Sequence, residues 1–164
     1  MPKKIGLLMG SINDFEKVKP AVELLKALEI PCEAHVYSAH RTPAQAAAFA
    51  SEARVNGFGA MICAAGMAAH LAGAVAAQTT LPVIGIPVNA SLEGLDALLS
   101  TVQMPPGIPV ATVGVNAAYN AAMLAAQILA VEDGAVAEKL AAMREKMAKG
   151  VLEKDGELQS MLNT

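Results

Sequence analysis

The sequence predicts an α/β fold: a doubly wound parallel sheet in three layers, with a helical extension at its C-terminal end. Two observations carry that expectation. Short apolar runs alternate with stretches of helical periodicity from residue 5 to about residue 131, which is the pattern of successive βα units. Most of those runs are continuously apolar rather than alternating, as strands covered on both faces must be.

Residues 5–9 (IGLLM) form the first strand, and Gly10, Ser11, Ile12, Asn13 and Asp14 the loop after it. Val18, Val22, Leu25 and Leu28 then recur at helical spacing, with Pro20 among them predicting a late start or a kink. Residues 32–37 alternate as a second strand. Thr42 and Pro43 read as an N-cap and a first-position proline, opening a helix that ends before Gly57.

Residues 59–64 are the third strand, 66–79 a helix of small residues, and 82–86 the fourth strand. A helix over about 92–101 precedes the loop 103–107, and 109–113 is the fifth strand. Residues 116–131 are apolar nearly all round, so this helix is expected to be buried on every side. Right-handed crossovers and five strands give the flavodoxin-like order 2-1-3-4-5. Ligands then bind at the carboxyl ends of strands one and three, where the order reverses.

The tail has a different texture. Val136, Leu140, Met143 and Met147 make a helical stripe among Lys and Glu, and Val151, Leu152, Leu158, Met161 and Leu162 continue the apolar content past Gly150. The chain divides into an α/β domain over 1–133 and a helical extension over 134–164, which packs either on its own domain or on a neighbouring subunit.

Composition sharpens the oligomer question. Of 164 residues 54% are hydrophobic and only 16% charged, against ~25% charged in typical domains. Either a membrane or other subunits must cover that apolar surface. The longest weakly polar run, residues 60–77, is mostly Ala and Gly and contains His70, unlike the Leu- and Ile-rich stretch of ~20 residues a spanning helix needs. The apolar segment after Lys3 and Lys4 is too short for a secretory leader. The expectation is a soluble cytoplasmic homo-oligomer. A net charge of −3 with no basic run argues against a nucleic-acid partner. Tyr37 and Tyr119 with no Trp give no base-stacking platform. Cys32 and Cys63 stand apart, as neither a CxxC pair nor a disulfide framework.

Three clusters carry candidate chemistry. Gly10 to Asp14 sit at a helix start, where backbone N–H groups and the helix dipole favour an anion. Ser11 and Asn13 add donors there, while Asp14 can accept from sugar hydroxyls or simply cap the helix. No Walker A loop or GxGxxG fingerprint is present. The second cluster is Ser38-Ala39-His40-Arg41: the guanidinium offers a fork for phosphate or carboxylate, and the imidazole exchanges protons near neutral pH. The third runs from Ala64 to Gly73 and includes Gly66, Met67, Ala68, His70 and Leu71. Its small residues admit close backbone approach to a ligand, or pack helices together, but packing gives no reason for His70. His35, in mid-strand, reads as structural. No metal-ligand spacing appears.

Taken together these residues resemble the PurE enzymes of purine biosynthesis, specifically the class I N5-carboxyaminoimidazole ribonucleotide mutases. The resemblance rests on Met9-Gly10-Ser11 with Asp14, Ser38-Ala39-His40-Arg41-Thr42-Pro43 and Ala68-Ala69-His70-Leu71. It continues through Pro82 to Val88, Gly94-Leu95-Asp96, Val102-Gln103-Met104-Pro105 and Asn120-Ala121-Ala122, spanning about residues 4–150. The family pattern differs at Asn13, Met67 and Ala72.

The resemblance implies a homo-octamer whose C-terminal helix reaches a neighbour, and a reaction without metal, ATP or organic cofactor. It implies that an aminoimidazole ribonucleotide is held by Ser11, Asn13, Asp14 and Arg41, with His40 as general acid–base. Ser38, Gly66, Met67, Ala68, His70 and Leu71 would line the pocket around the migrating carboxylate. Two rivals remain at this level: a class II enzyme carboxylating aminoimidazole ribonucleotide with free CO2, and a non-enzymatic nucleotide- or flavin-binding module.

Overall fold

The computed structural model describes residues 3–163. Its sheet is five-stranded, all parallel, in the order β2-β1-β3-β4-β5, which is the predicted order. The strands are β1 (Lys4–Met9), β2 (Cys32–Val36), β3 (Phe58–Gly66), β4 (Val83–Val88) and β5 (Ala111–Thr112). The helices are α1 (Phe15–Ala27), α2 (Pro43–Glu52), α3 (Leu71–Ala76), α4 (Leu95–Val102), α5 (Ala118–Ala130) and α6 (Gly134–Leu162).

Two apolar layers flank the sheet. On one side Ile5, Leu7, Ile62, Ile84 and Ile86 pack against Val18 and Leu25 of α1 and the alanines of α5. On the other, Leu8, Met61, Cys63 and Val83 meet Ala46 and Ala50 of α2 and Leu71 and Val75 of α3. Small side chains let the layers close. A Cβ on Gly85 of β4 would lie 2.4 Å from Cγ2 of Thr101 on α4, so only glycine fits there.

Several elements depart from expectation for identifiable reasons. Helix α1 starts at Phe15, ahead of Pro20 and after a 3-10 turn over Ile12–Asp14. Pro20 is exposed, so water can satisfy the Glu16 carbonyl that loses its helical donor. Thr42 does occupy the N-cap of α2 but makes no side-chain cap bond. Its hydroxyl instead accepts from the Ser38 N–H at 2.8 Å. The helix expected over 66–79 is only Leu71–Ala76, because β3 runs on to Gly66 and Met67 turns the chain with φ +55°. Strand β5 is two residues long. Helix α5 buries one face through Ala118, Ala121, Ala122, Ala125, Ala126 and Leu129 but leaves Tyr119 and Gln127 exposed.

Helix α6 begins on its own domain. Asp133 caps it by accepting from the N–H groups of Ala135 and Val136. Val136 is buried, and Leu140 and Met143 pack against the α1/α5 layer. Lys139 donates to the Leu28 carbonyl at 2.9 Å and pairs with Glu29, whose carboxyl it holds below the usual range. From Met147 onward the apolar residues Val151, Leu152, Leu158, Met161 and Leu162 are exposed. Among the described residues, no helix is long and apolar enough to cross a membrane.

Candidate active site

The loops leaving β1, β2 and β3 converge on one cleft of about 560 Å³ at the carboxyl ends of the strands. It lies at the point where the strand order reverses, between β1 and β3, as doubly wound sheets require. All the residues singled out from the sequence line it: Ser11, Asn13, Asp14, Ser38, His40, Arg41, Gly66, Met67, Ala68, His70 and Leu71.

The β1 loop supplies the start of a helix. Ser11, extended at φ −151°, caps the 3-10 turn by accepting from the Asn13 N–H at 3.2 Å. Asp14 follows, at the junction with α1. Partial burial raises the pKa of its carboxyl, and the nearby Lys17 ammonium opposes that shift.

The β2 loop is a tight turn built on Ser38. Its Oγ accepts from the N–H groups of His40 at 3.3 Å and Arg41 at 3.2 Å. The Thr42 hydroxyl accepts from the Ser38 N–H and donates to its carbonyl. Ser38 therefore fixes the backbone of His40 and Arg41. Arg41 reaches across to β1, where Nη2 donates to the Gly10 carbonyl at 2.8 Å. It has no carboxylate partner among the described residues.

The β3 loop brings the second imidazole. His70, at the N-cap of α3, places Nδ1 2.9 Å from Nε2 of His40, with the rings at 68°. Gly66, just before, is pressed by the β4 loop: a Cβ there would stand 3.0 Å from both Ala90 Cβ and the Val88 carbonyl. Met67 is 59% exposed at the cleft.

The cleft also contains residues that sequence reasoning passed over, chiefly Lys17 and Ala90. Lys17 is three positions after Asp14, hence on the same helical face, and that spacing was a usable signal. Its ammonium donates to the Asn89 carbonyl in the β4 loop, and the Asn89 N–H donates to Asn116 Oδ1 at 3.0 Å. Ala90 had no signal, since only the sheet order brings it near β3. With Lys17 and Arg41 against Asp14 alone, the lining carries one excess positive charge when the imidazoles are neutral. That suits an anionic ligand at a helix start. His35 lies elsewhere, stacked on Tyr37 at 4.9 Å and bonded to Glu33, consistent with a structural role.

Comparison with known proteins gives a consistent picture. Residues 4–150 match the family model described as AIR carboxylase. A Methanocaldococcus jannaschii protein named N5-carboxyaminoimidazole ribonucleotide mutase is 49% identical over 157 residues, covering 96% of this chain and 98% of that one. A Saccharolobus solfataricus protein of the same name is 50% identical over 153 residues, covering 93% and 96%. The crystal structure of Treponema denticola PurE superposes with a TM-score of 0.87 at 28% identity, covering 95% of this chain and 98% of that one.

Proposed function

Since this chain belongs to the AIR carboxylase family, we propose that it is a 5-(carboxyamino)imidazole ribonucleotide mutase of purine biosynthesis. It converts N5-carboxyaminoimidazole ribonucleotide to 4-carboxy-5-aminoimidazole ribonucleotide. One observation above the others carries this reading. A cleft with a close imidazole pair, a guanidinium with no carboxylate partner among the described residues and a helix start occurs in a chain about half identical to two proteins of that name.

The reaction transfers a carboxyl group without net redox change. The N–C bond of the carbamate breaks to release CO2, and the nitrogen takes a proton. C4 of the electron-rich ring then attacks CO2, forming a C–C bond, and C4 loses its proton to restore aromaticity. A single repositionable base serves both proton transfers, and His40 fills that role. His70 holds the His40 ring by the contact between them. Ser11, Asn13, Asp14 and Arg41 bind the phosphosugar, and Lys17 adds a second cation. The segment from Gly66 to Leu71 encloses the carboxyl group, so recapture replaces a bimolecular encounter.

The working unit is a cytoplasmic homo-oligomer, an octamer by family resemblance, with the C-terminal part of α6, from Met147 onward, packing on a neighbouring subunit. The exposed Leu95, Leu99 and Val102 on α4 and the exposed apolar residues of α6 beyond Met147 support burial between subunits.

Purified protein incubated with the carbamate in bicarbonate-depleted buffer tests the activity. Formation of the 4-carboxylate under those conditions is expected. Turnover of aminoimidazole ribonucleotide only with added bicarbonate, and none with the carbamate, would overturn it in favour of direct carboxylation.

A further inference from the structure

We propose that Asn116, which is not part of the cleft lining, is a positioning residue for ligand binding. It anchors Asn89, and Asn89 in turn holds the Lys17 ammonium at the anion-binding end of the cleft. The inference rests on the mutase reading above, because it takes the phosphosugar as the anion that Lys17 meets.

Lys17 serves the cleft only if something outside its own helix holds it there. It is the third residue of α1, at the positive end of the helix macrodipole, where a cation is locally disfavoured. Its flexible stem also has much rotamer freedom to lose. The Asn89 carbonyl supplies the tether, accepting from the ammonium across 72 positions of sequence. An ammonium has three donors, so this bond leaves others for a ligand.

The tether must itself be held. Asn89 follows the last residue of β4, and Ala90 beside it lines the cleft. Pairing of β4 with β3 ends at Val88, so the ladder does not fix the peptide groups that come next. Asn116 takes over that task at two points. Its Oδ1 accepts from the Asn89 N–H at 3.0 Å, and its own N–H donates to the Pro87 carbonyl at 2.9 Å. The loop before α5 thereby grips the end of β4 on both sides of Val88.

Neither the turn nor burial calls for an asparagine at this place. Asn116 sits at φ +56°, a left-handed conformation that asparagine tolerates and glycine enters freely. It is exposed and belongs to neither apolar layer. The amide oxygen is explained by the bond to Asn89. Without that bond the Asn89 carbonyl is free to turn and Lys17 to stray, while His40 and His70, on the loops after β2 and β3, stay where they are. The loss falls on binding, and the chemical step is spared.

Steady-state kinetics with the carbamate, paired with calorimetric binding of the 4-carboxylate product, test this. Asn116→Gly keeps the left-handed turn and removes the acceptor. KM and the product Kd should rise about 3- to 10-fold, the effect of one lost hydrogen bond, with kcat little changed. The variant should melt close to wild type, because relief of left-handed strain offsets the added freedom of the unfolded chain. A double-mutant cycle identifies the route: in a Lys17→Ala background the same substitution should change KM by less than about twofold. Equal KM and Kd in wild type and Asn116→Gly would overturn the inference alone. So would an undiminished rise in the Lys17→Ala background, since the effect would then bypass Lys17. A glycine variant melting well below wild type would make Asn116 structural and overturn it too. No product from wild type would overturn the mutase reading, and this inference with it.

Discussion

Nε2 of His40 lies 2.9 Å from Nδ1 of His70, on loops that leave β2 and β3, two strands separated in the sheet by β1. A hydrogen bond between two imidazoles needs a proton on one nitrogen and a lone pair on the other. Each ring therefore fixes the tautomer and the orientation of its neighbour. His40 is exposed to the cleft and held at the backbone by Ser38, as the proposed proton exchange with a ligand requires.

Replacing His40 by Asn should lower kcat by about 10²–10⁴-fold, the usual range for a lost proton-transfer group, while ribonucleotide affinity stays within a few-fold. His70→Asn, which keeps a polar side chain at that site, should cost less than His70→Ala. Steady-state kinetics paired with calorimetric binding separate the two effects. A near-normal kcat in His40→Asn would make that residue structural.

The two cations predict a different kinetic signature. Arg41→Ala removes a charged hydrogen-bond donor, an effect of about 1.5–3 kcal/mol, so KM should rise roughly 10- to 150-fold with kcat little changed. Lys17 is already engaged by the Asn89 carbonyl, so Lys17→Ala should raise KM by a smaller factor. Equal KM values in wild type and both variants would remove these residues from ligand binding.

Burial raises the pKa of Asp14, Lys17 only partly opposing it, so the native state binds that proton more tightly than the unfolded chain. The associated stability is fully present below the ordinary aspartate value of ~3.9. It is lost as pH rises through the elevated native value. Asp14→Asn should therefore be more stable than wild type near neutrality, and the advantage should shrink as pH falls through that window. Urea midpoints measured from pH 7 down to pH ~3.5 check it; a gap independent of pH would contradict the sign.

Neither thiol should react readily in the native protein. Burial, with the Glu33 charge adding to it, pushes Cys32 up to about 11, and full burial pushes Cys63 higher still. Since the thiolate is the nucleophile, alkylation at pH 8 should be slower than in the denatured chain by roughly 10²-fold, given an ordinary value of ~8.5. Rapid labelling of folded protein would show that these side chains are more accessible than their packing indicates.

Much of this molecule was legible along the chain because it depends on local pattern. The continuously apolar 5–9 and the helical spacing of Val18, Val22, Leu25 and Leu28 predict β1 and α1. Alternation of such segments, with right-handed crossovers, then limits the sheet to very few orders. The same logic puts the loops after the first and third strands at the ligand site, which is why Ser11, Asp14 and His70 could be named from spacing and residue chemistry.

What needed the folded molecule depends on contacts between distant segments. The His40–His70 bond spans 30 positions and the Lys17–Asn89 bond 72, and no local periodicity encodes either. Met67 shows the limit most clearly. The run of small residues around it carries helical propensity, yet β3 continues to Gly66 and the next residue turns left-handed. Pairing of β3 with β4 as far as Gly66–Val88 overrides that propensity, because ladder hydrogen bonds and burial outweigh the few tenths of a kcal/mol per residue by which helix preferences differ. The sequence named the groups that line the candidate site, and only the tertiary contacts set how they face one another.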